Sequence, residues 1–187
     1  MEGNISKKHL NGNQLKLIAI IAMTVDHLTW VFFPGYQKVW WAVGLHIIGR
    51  LTAPIMWFFI AEGCFYTRDK RKYLTRLFVF AVVSHFAYDF AFGIPFFDPS
   101  GGFLNRTSVM WSLFLAAAVT FAVRIEKIPT VWKYVIIFGA CIISLPSDWS
   151  SIAVMAPFFI YQHRGNFRRQ AIDIVMWISF LRISSSS

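Results

Sequence analysis

Charge is scarce in this chain. Only 14% of its 187 residues are Asp, Glu, Lys or Arg, where a soluble domain averages about 25%. Acidic residues are the scarcer kind, 9 against 18 basic. An ordinary water-soluble domain is excluded on that ground. Cysteine is nearly absent too. Cys64 and Cys141 stand far apart inside apolar runs, which implies neither a disulfide framework nor a zinc site. There is no glycine-rich phosphate loop, no serine-nucleophile motif and no internal repeat, and low complexity is confined to Ser184–Ser187. The first apolar run is too long for the core of a cleavable signal and lacks a small-residue cleavage site, so it is expected to remain as the first span.

What is present is apolar and aromatic: 57% hydrophobic and 18% Phe, Trp or Tyr, with a mean hydropathy of +0.54. Lipid-facing rings and interfacial belts have this composition. The chain reads as an all-α, polytopic membrane bundle of about 6–7 transmembrane helices. Residues 1–14 form a polar tail, 15–183 a single helical domain and 184–187 a second polar tail. Apolar runs cover Leu15–Phe33, Val39–Tyr66, Tyr73–Ile94, Thr107–Val123, Val131–Leu145, Ser151–Tyr161 and Ala171–Ile183. The second is long for one crossing, so Gly49 and Pro54 are expected to kink it, or Val39–Ile48 to form an interfacial helix with Trp40 and Trp41 at the headgroups. The last two are short for a crossing.

The formal charge of +9 invites a nucleic-acid reading, but its distribution argues for topology instead. All basic residues other than Lys38, Arg50, Arg106 and Arg182 fall in the tail, loops and span ends assigned to one side of such a bundle. The bias of cytoplasmic loops toward Lys and Arg then places the N-terminus in the cytoplasm. No nucleic-acid partner is expected. Membrane lipids are, with the bacterial inner membrane as the location.

Polar groups recur at one depth in the first three spans. Asp26 and His27 sit in the first, His46 and Arg50 in the second, His85 and Asp89 in the third. Counting about 1.5 Å per residue from the cytoplasmic end puts His27 about 18 Å in, His85 about 16 Å, Asp89 about 22 Å and Arg50 about 24 Å. Ionisable groups at such depth are costly and are normally kept where they face partners or a wet cavity. His46 with Arg50, and His85 with Asp89, are spaced i,i+4 and share a helix face. Asp26 and His27 are adjacent and point about 100° apart. The competing reading is interhelical glue, each group worth under about 2 kcal/mol. Glu62, only about 6 Å from the cytoplasmic end, belongs to the cluster if its cavity opens inward.

The order and spacing of several segments resemble the TraX family of integral membrane proteins. They are Leu15-Lys-Leu-Ile-Ala with Asp26-His27, Ile48-Gly-Arg-Leu-Thr-Ala-Pro54, Ala61-Glu-Gly63, Tyr66-Thr-Arg68 and Lys72-Tyr-Leu-Thr-Arg76. The resemblance covers about the first half of the chain; the second half matches only in its pattern of hydrophobic runs. It implies a link to conjugal transfer and N-terminal acetylation of pilin. It also implies kinship with transmembrane acyltransferases, in which an intramembrane histidine near the end of an early span acts on the acceptor. The resemblance further implies one or more helices beyond the seventh run.

Acetyl transfer from a thioester needs a base for the acceptor's proton and positive charge near the developing oxyanion. His27 is the expected base, with His85 the alternative, and Asp26 or Asp89 would orient the imidazole. Arg50 would meet the thioester oxygen or a donor phosphate. His46 and Glu62 are candidates for binding the acceptor. Arg68, Lys70, Arg71 and Lys72 are candidates for the phosphates of acetyl-CoA at the cytoplasmic mouth, against the simpler reading as topology signal and anionic-lipid contact. No metal is expected. The acceptor stays open between pilin, glycan and lipid, as does the choice between direct transfer and an acetyl-histidine intermediate. The rivals are a small transporter or channel using the midplane charges and a non-catalytic membrane helper.

Overall fold

The computed structural model describes residues 12–32, 44, 49, 51–93, 107–147 and 149–184, without the side chains at 26, 27, 30–32, 91, 92 and 181–184. The description below is of those residues. The architecture is all-α. Seven helices follow one another: α1 Gly12–Phe32, α2 Thr52–Tyr66, α3 Lys70–Phe92, α4 Val109–Val123, α5 Thr130–Ile143, α6 Ile152–Gln162 and α7 Phe167–Ser184. The bounds follow the apolar runs to within a turn, except that α2 begins at Thr52 where the run began at Val39. The one sheet-like feature among the described residues is an isolated parallel bridge between Thr107 and Ser147, with the Thr107 N–H donating to the Pro146 carbonyl at 3.0 Å. The expected interfacial helix at Val39–Ile48, with Trp40 and Trp41, lies outside the described residues apart from Gly44.

Proline marks helix ends here. Pro54 occupies the first turn of α2, where a missing N–H removes no intrahelical bond. Gly49 is helical and Leu51 lies in a turn, so the expected interruption of the long run falls just ahead of Pro54. Pro129 immediately precedes α5, and Pro146 follows its end. Pro157 is the exception, inside α6.

The chain separates into two compact units, 1–56 and 57–187. In the first, the Thr52 hydroxyl donates to the Ala19 carbonyl on α1 at 3.3 Å. In the second, α4 packs against α3, α5 and α6, and α7 packs on α6. Small residues line these contacts: Ala116, Ala117, Ala153 and Ala156 are fully buried, and their size lets backbones approach closely. Val119, Ala140, Val154 and Phe158 form a core cluster, flanked by Leu115, Ile136, Ile137 and Cys141. Gly63 serves the same end, because a Cβ there would collide with the Tyr73 hydroxyl. The Tyr73 ring in turn meets Phe121 edge-on at 6.1 Å.

Large apolar side chains lie outside as well as inside. Phe80, Phe90, Trp132, Phe138 and Phe180 are each more than half exposed. Hydroxyls on the helices satisfy themselves locally: Ser112 donates to Val109, Thr120 to Ala116, Ser144 to Cys141 and Ser179 to Val175. Among the described residues no helix is long and apolar enough to cross a membrane. The charge-free α4, 15 residues long, spans about 22 Å against a hydrocarbon core of about 30 Å.

Candidate functional site

Helix α3 carries the described part of the polar cluster. Its start is fixed by Asp69, whose carboxylate accepts the Lys72 backbone N–H at 3.1 Å. That hydrogen bond holds the Asp69 carboxyl below its ordinary range. Four turns on, the i,i+4 spacing brings His85 Nε2 to 3.4 Å from Asp89 Oδ2. Asp89 is fully buried, and among the described residues neither of its carboxylate oxygens accepts a hydrogen bond. His85 Nδ1 likewise has no partner among them. The imidazole borders a cavity of about 300 Å³ lined by Ala81, Val82, His85, Phe86, Thr107, Trp111, Ile143 and Pro146. Buried polar groups without partners are rare and mark catalytic groups, strain or sites for water and ions. Ser108 and Ser147, beside wall residues Thr107 and Pro146, likewise have buried, unpartnered hydroxyls. Ser108 precedes α4 at its N-cap, yet its side chain makes no capping bond.

A second cluster joins α2 to the turn between α6 and α7. Arg164 donates from Nε and Nη2 to the two carboxylate oxygens of Glu62, at 2.9 and 3.2 Å. Its Nη2 also reaches the Tyr66 hydroxyl at 2.9 Å, and its guanidinium lies 3.5 Å from the Phe65 ring centroid. The hydrogen bonds to Glu62 raise the Arg164 pKa further. Beside it, His163 Nδ1 sits 2.7 Å from Asp173 Oδ2. Gly165, at φ 93°, gives the turn its left-handed residue, and the Asn166 side chain accepts the Arg169 N–H at the start of α7. Gln170 secures α7 to the Ile160 carbonyl at 3.0 Å.

The residues singled out in the sequence therefore divide. His85 and Asp89 come together on α3, with His85 on the cavity wall and Asp89 buried beside it. Glu62 is held by Arg164, both carboxylate oxygens engaged. Arg68, Lys70, Arg71 and Lys72 lie around the start of α3, where Lys72 pairs with Asp69 at 3.4 Å and Lys70 stands over the Phe121 ring at 5.8 Å. Asp26 and His27 are on α1 in the first unit, with side chains outside the described part, and His46 and Arg50 lie outside the described residues. Sequence reasoning missed the His163–Asp173 pair. The signal for it was a His-Arg-Gly-Asn turn followed by an acid one helical start later. Among the described residues, no group of three or more His, Cys, Asp or Glu is placed to hold a metal ion.

The family model described as "TraX protein" matches residues 11–187. The chain belongs to the TraX family. It is similar to a probable fimbrial assembly protein FimC, serogroup H1, of Dichelobacter nodosus, at 32% identity over 165 residues. That match takes in 87% of this chain and 66% of the relative, so the chain spans less than two-thirds of the relative's length. No solved structure matches it. The TraX match extends through the second half, where only the hydropathy pattern had been legible, and so includes α4–α7.

Proposed function

We propose that this TraX-family protein is an integral-membrane acyltransferase serving pilus or fimbrial assembly. It would transfer an acyl group, acetyl from acetyl-CoA on the sequence resemblance, to an amine or hydroxyl acceptor. The observation that carries the reading is the His85 imidazole bordering a cavity, with the fully buried Asp89 carboxylate 3.4 Å from it. His85 Nε2 faces Asp89 at 3.4 Å and Nδ1 is buried, so the ring turns about its side-chain bonds to bring a nitrogen with a free lone pair to the acceptor. The acceptor's lone pair attacks the thioester carbonyl carbon as its proton passes to that nitrogen. The tetrahedral intermediate then collapses, the C–S bond breaks, and the departing thiolate takes up the proton from the imidazolium. Asp89, 3.4 Å from the ring, stabilises that imidazolium.

The basic residues around the start of α3 suit the donor. Lys70 precedes His85 by about 22 Å of helix, which fits a donor whose phosphates and thioester are separated by a long arm. Arg68, Lys70, Arg71 and Lys72 would meet those phosphates. His27 with Asp26, His46 and Arg50 enter the proposal on the sequence argument and the resemblance. Membrane residence is supported by the low charge, the one-sided basic residues and the many exposed Phe and Trp side chains. The fimbrial link is supported by the name of the Dichelobacter relative. Purified protein supplied with radiolabelled acetyl-CoA and a panel of peptide amines and glycans is the test. Transfer that depends on His85 supports the reading; failure of any acceptor to gain label in a folded, donor-binding preparation overturns it.

A further inference from the structure

We infer that the His85 cavity accommodates an acyl chain longer than acetyl, with its carbonyl at His85 and Thr107. This inference rests on the acyl-transfer reading. The cavity's volume of about 300 Å³ is at the lower bound of small-molecule sites, about 300–1,000 Å³. An acetyl group would fill only a small part of it. The wall is asymmetric in a way that orients a chain. Among the described lining residues, the polar side chains are those of His85 and Thr107. Val82, Phe86, Trp111, Ile143, Ala81 and Pro146 supply the rest, a surface with carbon to offer and little else.

Thr107 is the hydroxyl that the sequence did not single out. Its backbone N–H is committed to Pro146, which fixes the residue at the head of α4. The hydroxyls of Ser112, Thr120 and Ser144 are spent on helix carbonyls, whereas Thr107, Ser108 and Ser147 stand at a bridge outside the helices. Ser108 and Ser147 are both buried without a partner. A carbonyl oxygen placed between His85 and Thr107 would receive the Thr107 hydroxyl. The chain would run along Phe86, Trp111, Val82 and Ile143, gaining the transfer of each methylene out of water.

An acyl chain can reach this site from a soluble thioester or from a lipid, and the test separates them. Full-length protein in detergent is titrated with acetyl-, butyryl-, hexanoyl- and octanoyl-CoA, reading thermal stabilisation and transfer. The same protein in nanodiscs is scored for acyl loss from phospholipid. Binding of the thioesters is expected to tighten about fourfold per added methylene until the cavity is full. Ile143→Trp should shift the optimum toward acetyl and Trp111→Ala toward longer chains. Thr107→Val should weaken every ester alike. Two variants moving the optimum in opposite directions keep micelle partitioning from mimicking the result. Affinity that is flat from acetyl to octanoyl, or an optimum that neither cavity variant moves, overturns the inference while leaving acyl transfer intact. Length-dependent binding without transfer of any ester supports the cavity assignment and sinks the acyl-transfer reading. Acyl loss from phospholipid, altered by both variants, assigns the lipid as the source of the same chain.

Discussion

The two His–Asp pairs of residues 57–187 differ in almost every respect except their chemistry. His163 and Asp173 meet at 2.7 Å, beside an arginine whose fork is filled by Glu62 and Tyr66. His85 and Asp89 stand 3.4 Å apart, with three of their polar atoms lacking any hydrogen bond. The first pair ties the α6–α7 turn to α7, while Arg164 beside it reaches α2; such saturated contacts rigidify. In the second, the His85 ring lines a cavity with Asp89 buried beside it. Polar groups that have found each other hold helices together, whereas the partly exposed His85 ring keeps an edge for a ligand.

Mutagenesis can break this contrast, beginning with activity. His85→Ala is expected to lower acyl transfer by about 10²–10⁴, the range general-base groups contribute, while leaving the thermal midpoint close to that of the parent. A matching loss from His163→Ala, measured in the same assay with folding verified, would erase the distinction. Gly63→Ala should damage only the saturated end. The new methyl group is driven into Tyr73, and overpacking of this kind costs about 1–3 kcal/mol, to be read by chemical denaturation in a defined detergent. Thioester binding at the cavity should survive it.

The aspartates sharpen the comparison further. Asp173→Asn is expected to cost about 1–2 kcal/mol by weakening the 2.7 Å hydrogen bond to His163. Asp89→Asn should leave stability unchanged or raised, since it replaces a buried carboxylate that accepts no hydrogen bond, and should depress transfer. Equal destabilisation by both would show that the two pairs do the same work. The smallest effect belongs to Asp69→Asn. Because the native contacts lower the Asp69 pKa, its contribution is present above the unfolded carboxylate pKa of about 3.9. It is lost as pH falls through the still lower native value. The parent and Asp69→Asn melting curves should therefore differ slightly at neutral pH and converge below about pH 4.

Helix positions were legible because apolar runs and their punctuation are local. Leu15–Phe33 became Gly12–Phe32 and Val131–Leu145 became Thr130–Ile143, each shifted by three residues or fewer at either end. Gly49 and Pro54 were informative, because the run is too long for one crossing and its helix restarts at Thr52, between them. His85 with Asp89 was legible through i,i+4 spacing on one helix. Glu62 with Arg164 was not, since 102 residues separate them and nothing in either local segment names the other. His163 with Asp173 crosses a turn, so helical periodicity could not register it. Thr107 escaped for a related reason: a threonine at the edge of an apolar run has no signature until a cavity forms against it.

The bridge between Thr107 and Ser147 has an evolutionary corollary. It staples the entrance of α4 to the segment just after α5 through main-chain atoms, so the rim holding Thr107 and Pro146 does not depend on which side chains face inward. Relatives are then free to exchange Ile143, Trp111 or Val82 and retune the cargo while the frame stays put. Diversity of ligand choice among such proteins should be written in those few wall positions.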